Sequence, residues 1–277
     1  TADYPLLLMR EDKREAFDKL VEYFKREDVQ RRLMTDTARR PVVPGIALDR
    51  RFPDSVVIEL PFPGKVETVD SILTTYLDKQ RAPSTSVFVL DVSGSMRGER
   101  LAELKTAMHN LAGADRTITG KFARFRAREQ VVVMPFNSQP HTAQRYDVQS
   151  GQGNDPVIAQ LRQDIDALQA GGGTAIYSSV EQAYEYAAKA READPDRFYA
   201  VVVMSDGANT AGIDLLRFND VYRQQHDRYA GIPPFPVLFG NADTTEMQQL
   251  AELTGGRAFD SRKHSLAEVF KKIRGYL

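Results

Sequence analysis

The chain contains no cysteine. Disulfides, thiolate metal sites and cysteine nucleophiles are therefore excluded together, although this absence does not fix the compartment. An excess of one charge sign is also lacking: 37 basic residues stand against 38 acidic ones, a formal net charge of -1. Such a balance gives no global pull toward nucleic acid or an anionic membrane. No apolar run reaches the roughly 20 residues that span a bilayer. The longest, residues 199–204, has the length of a buried strand. No secretory leader is visible, yet the chain opens on Thr1 rather than methionine, which reads as a processed or truncated product. Internal repeats, a P-loop and a dinucleotide fingerprint are absent as well.

What is present is a globular composition, 42% hydrophobic and 27% charged over 277 residues. That length exceeds one typical domain and falls short of two large ones. The texture changes near residue 83, so the reading is an N-terminal segment at 1–83 and a domain at 84–277. In the first part, residues 6–9 form an apolar run suited to a strand, and residues 55–60 look extended. Phe17, Leu20, Val21 and Phe24 follow the spacing of one helix face. Residues 30–34 continue as a second short helix until Pro41 and Pro44 break it. Val69, Ile72, Leu73 and Tyr76 mark another amphipathic helix. The segment is thus a small α+β region.

From Ser84 onward, buried-strand runs and helix stripes alternate. Residues 87–90, 131–136, 199–204 and 236–239 are apolar runs, with weaker strands at 141–148 and 257–259. Between them lie stripes such as Leu101, Leu104, Met108 and Leu111, then Ile158, Leu161, Ile165 and Leu168, and finally Leu266, Val269, Phe270 and Ile273. Unbroken apolar strands need cover on both faces. The fold expected is therefore α/β, a doubly wound, mostly parallel sheet, with its site outside the carboxyl ends of the strands where strand order reverses.

Three loops fall at such ends. Asp91-Val92-Ser93-Gly94-Ser95 follows the first buried strand, Gly171-Gly172-Gly173-Thr174 precedes a helix, and Ser205-Asp206-Gly207 follows the strand ending at Met204. Each offers hard oxygen donors on a tight turn, a set that suits Mg²⁺, Mn²⁺ or Ca²⁺ and disfavours soft metals. Side chains at i and i+2 of an extended loop point the same way, so Asp91, Ser93 and Ser95 can converge on one ion.

Asp-x-Ser-x-Ser after a buried strand, a Gly-Gly-Thr loop and a later strand ending at Asp-Gly resemble the metal-ion-dependent adhesion site of von Willebrand A domains. The resemblance covers residues 84–277. It implies that Ser93, Ser95 and Thr174 give hydroxyl oxygens and that Asp91 and Asp206 act directly or through water. Neutral hydroxyls leave much of the ion's charge uncompensated, so an open sixth position attracts a carboxylate from a protein partner. Mg²⁺ favours octahedral geometry and keeps water readily, which makes an exchangeable water the placeholder. Thr174 is also expected to cap the helix after it. The implied protein is a binding module rather than an enzyme, working outside the cytoplasm.

Plainer and rival readings exist. Ser93–Ser95 or Asp206-Gly207 taken singly are ordinary turns and caps. A phosphatase of the haloacid dehalogenase class also sets an aspartate and Mg²⁺ at strand ends, but it needs a second aspartate where Ser93 stands. Residues 4–44, with Gln30-Arg31-Arg32-Leu33 and Arg39-Arg40-Pro41-Val42, are similar to the final part of a bacterial extracellular solute-binding protein, which would make the whole a transport-linked sensor. Lys121, Arg124, Arg126 and Arg128 read as a solvated helix end or loop rather than a nucleic-acid patch. His109, His141, His226 and His264 lack metal spacing and read as surface or helix-end residues.

Overall fold

The computed structural model describes residues 6–52, 63–150, 155–240, 244–262 and 265–276. The chain divides into two compact units, Thr1–Thr68 and Val69–Leu277. Residues 69–83, grouped above with the N-terminal segment, lie in the second unit.

In the first unit, helix α1 (Arg14–Lys25) carries the expected stripe of Phe17, Leu20, Val21 and Phe24. Arg26 is extended and breaks the helix before α2 (Glu27–Thr37), which is longer than the sequence indicated. Gln30 ties the corner together: its amide donates to the Phe24 carbonyl at 2.6 Å and accepts from the Val42 amide at 2.9 Å. Residues 6–9 form no strand, and Leu7 and Met9 are 68% and 86% exposed. An apolar run becomes a strand only where a neighbour takes its ladder hydrogen bonds, and no strand is assigned in this unit among the described residues. The run expected to be extended at 55–60 lies outside the described residues.

Helix α3 (Val66–Thr75) leads through a wide turn at Tyr76–Gln80 to β1 (Ser84–Asp91). Then follow α4 (Glu99–His109), α5 (Ile118–Ala123), β2 (Glu129–Phe136), β3 (Gln144–Asp147), α6 (Pro156–Asp166), α7 (Ile176–Ala193) and β4 (Phe198–Ser205). The chain continues through α8 (Leu215–Gln224), α9 (His226–Tyr229), β5 (Pro234–Leu238), α10 (Thr244–Thr254), β6 (Phe259–Asp260) and α11 (Leu266–Arg274). Among the described residues the sheet has six strands in the order β3-β2-β1-β4-β5-β6. Every pairing is parallel except that of edge strand β3 with β2.

The strands send alternate side chains to two cores, which is why their sequences read as unbroken apolar runs. Phe88, Leu90, Val131, Val133, Val202 and Met204 pack with α4, α6 and α11 through Leu104, Leu161 and Phe270. Val87, Val89, Val132, Met134, Val201 and Val203 face α7, α8 and α10 through Tyr184, Phe218 and Leu250. Each such side chain, fully buried, contributes about 1.5–3 kcal/mol. Strand order reverses at β1, which lies between β2 and β4, so a crevice opens beyond the carboxyl ends of β1 and β4.

One expectation fails at the opposite end of the sheet. Arg126 is not solvated: it is 2% exposed, with Nε 3.4 Å from Asp78 Oδ1. Beside it, buried Glu129 accepts from Arg81 and Arg274, each at 2.5 Å, and from the Arg126 amide at 3.2 Å. Acids and bases drawn from α3's turn, β2 and α11 converge there, and local charge pattern carries no sign of it. The histidines behave as read. His109 ends α4 beside Asp166 at 2.8 Å, His141 meets Asn137 at 3.1 Å, and His226 opens α9; His264 lies outside the described residues.

Candidate metal centre

Register builds the site. Because Leu90 of β1 pairs with Met204 of β4, the next residues of the two strands emerge side by side at the crevice. Asp91 is the last residue of β1 and Ser205 the last of β4. Ser205 Oγ donates to Asp91 Oδ2 at 2.6 Å. Asp91 Oδ1 accepts the Ser93 amide at 2.7 Å, which turns the chain back on itself. Ser95 Oγ lies 3.0 Å from Ser93 Oγ and donates to Asp206 Oδ1 at 2.6 Å. Asp206 Oδ2 is held by the guanidinium of Arg100, in the first turn of α4. Four of the five candidate donors thus form one hydrogen-bonded chain.

Thr174, the fifth, is brought in through the backbone. Gly94 N donates to Gly172 O at 2.9 Å, and Gly171 N donates to Val92 O at 2.8 Å, so the glycine loop is stitched to the turn after β1. Gly172 has φ of +83°, and a β-carbon there would sit 3.0 Å from Ser138 Oγ. A side chain there would be strained in conformation and would press on Ser138. The Thr174 amide donates to Thr210 Oγ1 at 2.9 Å, and the Thr174 carbonyl accepts from the Thr210 and Ala211 amides.

Thr174 does not cap α7. The helix starts at Ile176, and the Ile176 amide donates to Asn209 Oδ1 at 2.9 Å from across the crevice. The cap comes from the loop after β4, which frees Thr174 of that task. Asn209, Thr210 and Arg100 are residues that reading the sequence missed, and Ser205, though part of the loop Ser205-Asp206-Gly207, was given no role. Their partners lie on other loops, so no local spacing marks them.

Asp91, Ser93, Thr174 and Asp206 are 0%, 1%, 6% and 1% exposed, whereas Ser95 is open to solvent. The cluster is therefore a recess with its mouth at Ser95. Burial pushes the Asp91 carboxyl above its ordinary range, hydrogen bonds from Ser205 and Ser93 pull it back, and the charge of Asp206 adds to the rise. Two buried carboxylates and three hydroxyls make an all-oxygen set that fits a hard divalent cation. Among the described residues no group of three or more His, Cys, Asp or Glu side chains could hold a metal.

The profile of the von Willebrand factor type A domain matches residues 87–272. The chain belongs to that family. Among solved structures, it is similar to a von Willebrand factor type A protein from Catenulispora acidiphila at 18% identity and a TM-score of 0.51, over 70% of this chain and 42% of that one. It is also similar to proximal thread matrix protein 1 from the mussel byssus, described with a zinc-occupied MIDAS motif, at 17% identity and a TM-score of 0.47, over 70% and 47% of the two chains. A minor pilin, PilB of Streptococcus sanguinis, aligns at 13% identity and a TM-score of 0.47, over 71% and 62%. The chain thus spans less than two thirds of each of these proteins. A comparison with curated proteins finds no match. Of the described residues, no helix is long and apolar enough to cross a membrane.

Proposed function

We propose that this von Willebrand A domain is a metal-dependent protein-binding module of the adhesion type, not an enzyme, acting outside the cytoplasm. Asp91, Ser93, Ser95, Thr174 and Asp206 would hold a divalent cation, Mg²⁺ first and Mn²⁺ or Ca²⁺ as alternatives. The observation that carries this reading is the continuous hydrogen-bonded chain from Asp91 through Ser93 and Ser95 to Asp206 in a recess open at Ser95. Asp91 and Asp206 supply the negative charge, the hydroxyls supply neutral oxygens, and the stitched glycine loop keeps Thr174 in place. When bound, the ion supplies a Lewis-acidic position that an acidic side chain of a partner can occupy.

Partner capture from a lysate of the source cell, with and without EDTA, for the wild type and Thr174→Ala tests the proposal. Binding should need metal, and Thr174→Ala should weaken it while the fold persists, since the cap of α7 belongs to Asn209. A partner retained equally in all four conditions would show that the recess is not the binding site. A screen of phosphate and carboxyl esters with Mg²⁺ should give no turnover. Hydrolysis abolished by Asp91→Asn would favour the phosphatase reading, although Ser93 fills the place of its second aspartate.

For residues 4–44 we propose kinship with the closing part of a solute-binding lobe, supported by α1 and α2 falling on the residues that carry the likeness. A thermal-shift panel of small solutes on the whole gene product tests it, and no stabilisation by any solute counts against it.

A further inference from the structure

Arg100 belongs to none of the donor positions, yet it is bonded directly to one of them. Its guanidinium Nη1 donates to Asp206 Oδ2, leaving Oδ1 for Ser95. The Asp206 side chain is fully buried, while that of Arg100 is 33% exposed, so the arginine reaches in from the rim. The approach is built for it. Gly240, just beyond β5, has φ of +55°, and a β-carbon there would lie 3.0 Å from Arg100 Nε, 3.1 Å from Arg100 Cζ and 3.1 Å from Asp206 Cβ. Any side chain at 240 would press on both members of the pair. The absence of a side chain at 240 leaves that approach uncrowded.

Charge accounting gives this contact a function. Two carboxylates, Asp91 and Asp206, would balance a divalent ion and leave the loaded recess neutral. With Arg100 fixed on Asp206 the loaded recess carries one net positive charge. Resting on the metal-site reading above, we propose that Arg100 is a resident counter-cation of the recess. It holds Asp206 in the ion-free protein, lowers affinity for the ion, and makes the loaded site select an anionic ligand over a neutral oxygen. Coulomb repulsion between guanidinium and ion opposes loading, and the same field draws a carboxylate to the open position. One side chain thus exchanges ion affinity for ligand selectivity.

The experiment uses the full chain with Mn²⁺ as the ion and acetate as the carboxylate probe. Calorimetry gives ion affinity, and water-proton relaxation of bound Mn²⁺ reports displacement of its water by acetate. Arg100→Gln should tighten Mn²⁺ by about tenfold, the effect of one partly screened charge near the ion. It should also weaken displacement by acetate, and Mn²⁺ should raise its thermal midpoint more than that of the wild type. Arg100→Met removes the charge while keeping most of the stem, and should move both readouts in the same direction. It serves as the second variant if Arg100→Gln does not fold, as read by circular dichroism. A wild type that binds no Mn²⁺ overturns the metal-site reading and this inference with it. A wild type that binds, with Mn²⁺ affinity unchanged or weakened in the folded variants, overturns the role of Arg100 and leaves the metal site standing.

Discussion

Ser205 donates its hydroxyl to Asp91 Oδ2 at 2.6 Å, joining the ends of neighbouring strands across 114 residues of sequence. The bond is buried, so its loss leaves a carboxylate oxygen without a donor where water has little access. Ser205→Ala should cost about 1–3 kcal/mol in urea unfolding with EDTA present. With Asp91 in the proposed ligand role, it should also lower Mn²⁺ affinity by about 10–100-fold, the usual effect of releasing a ligand from its orienting partner. Unchanged affinity would mean that Asp91 is oriented by the Ser93 amide alone.

Asn209 caps α7 from another loop and donates its own amide to the Ile213 carbonyl at 3.0 Å. Asn209→Ala should lower stability by about 1 kcal/mol through the lost cap. For a domain of this size that is a fall of about 2–4 °C in thermal midpoint. Thr174→Ala should lower it less, since its side chain caps nothing. The reverse order in a calorimetric scan would restore the cap to Thr174.

Glu129 is the acid on which Arg81 and Arg274 converge, with Arg126 alongside. Removing it leaves buried guanidinium groups uncompensated. Glu129→Ala should destabilise the domain by about 3–5 kcal/mol, read as a lower urea midpoint with an unchanged slope. A loss below about 1 kcal/mol would show that water reaches these arginines.

Asp115 takes Lys271 Nζ at 2.6 Å and the Thr117 amide at 2.9 Å, which hold its carboxyl down at about 2 from an ordinary 3.8. A carboxyl depressed in the fold adds stability that is complete above the unfolded value and is lost as pH falls through 4 toward 2. The thermal-midpoint gap between wild type and Lys271→Met should therefore be widest near neutral pH and close at pH 2. A gap of equal size at pH 6 and pH 2 would place the contribution of Lys271 in packing rather than charge.

These cases mark how far the sequence could be read. The alternation of strands and helices was legible because each strand is buried on both faces, so Val87–Leu90 or Tyr199–Met204 could not be mistaken for surface. The three loops were legible because each keeps its donors within a few residues. Asn209, Arg100 and the part Ser205 plays were not, since each acquires its role from a partner on a distant element. The same blindness made Arg126 look solvated, because the acid beside its guanidinium, Asp78, comes from a turn 48 residues earlier. Leu7 and Met9 misled in the opposite sense: apolarity was visible, but the absence of a neighbouring strand was not.

The position of β1 between β2 and β4 also has a bearing on the order of synthesis. A chain leaving the ribosome exposes Asp91, Ser93 and Ser95 well before it has made Thr174, and Thr174 before Asp206. The strand that carries the first donors must wait for β4 before its second edge is paired. Such delayed, distant pairing slows closure of the sheet. Until it closes, a nascent domain offers any ion a partial set of oxygens on a mobile segment. The full set of five oxygens therefore comes together only once β4 has paired with β1, late in the synthesis of the domain.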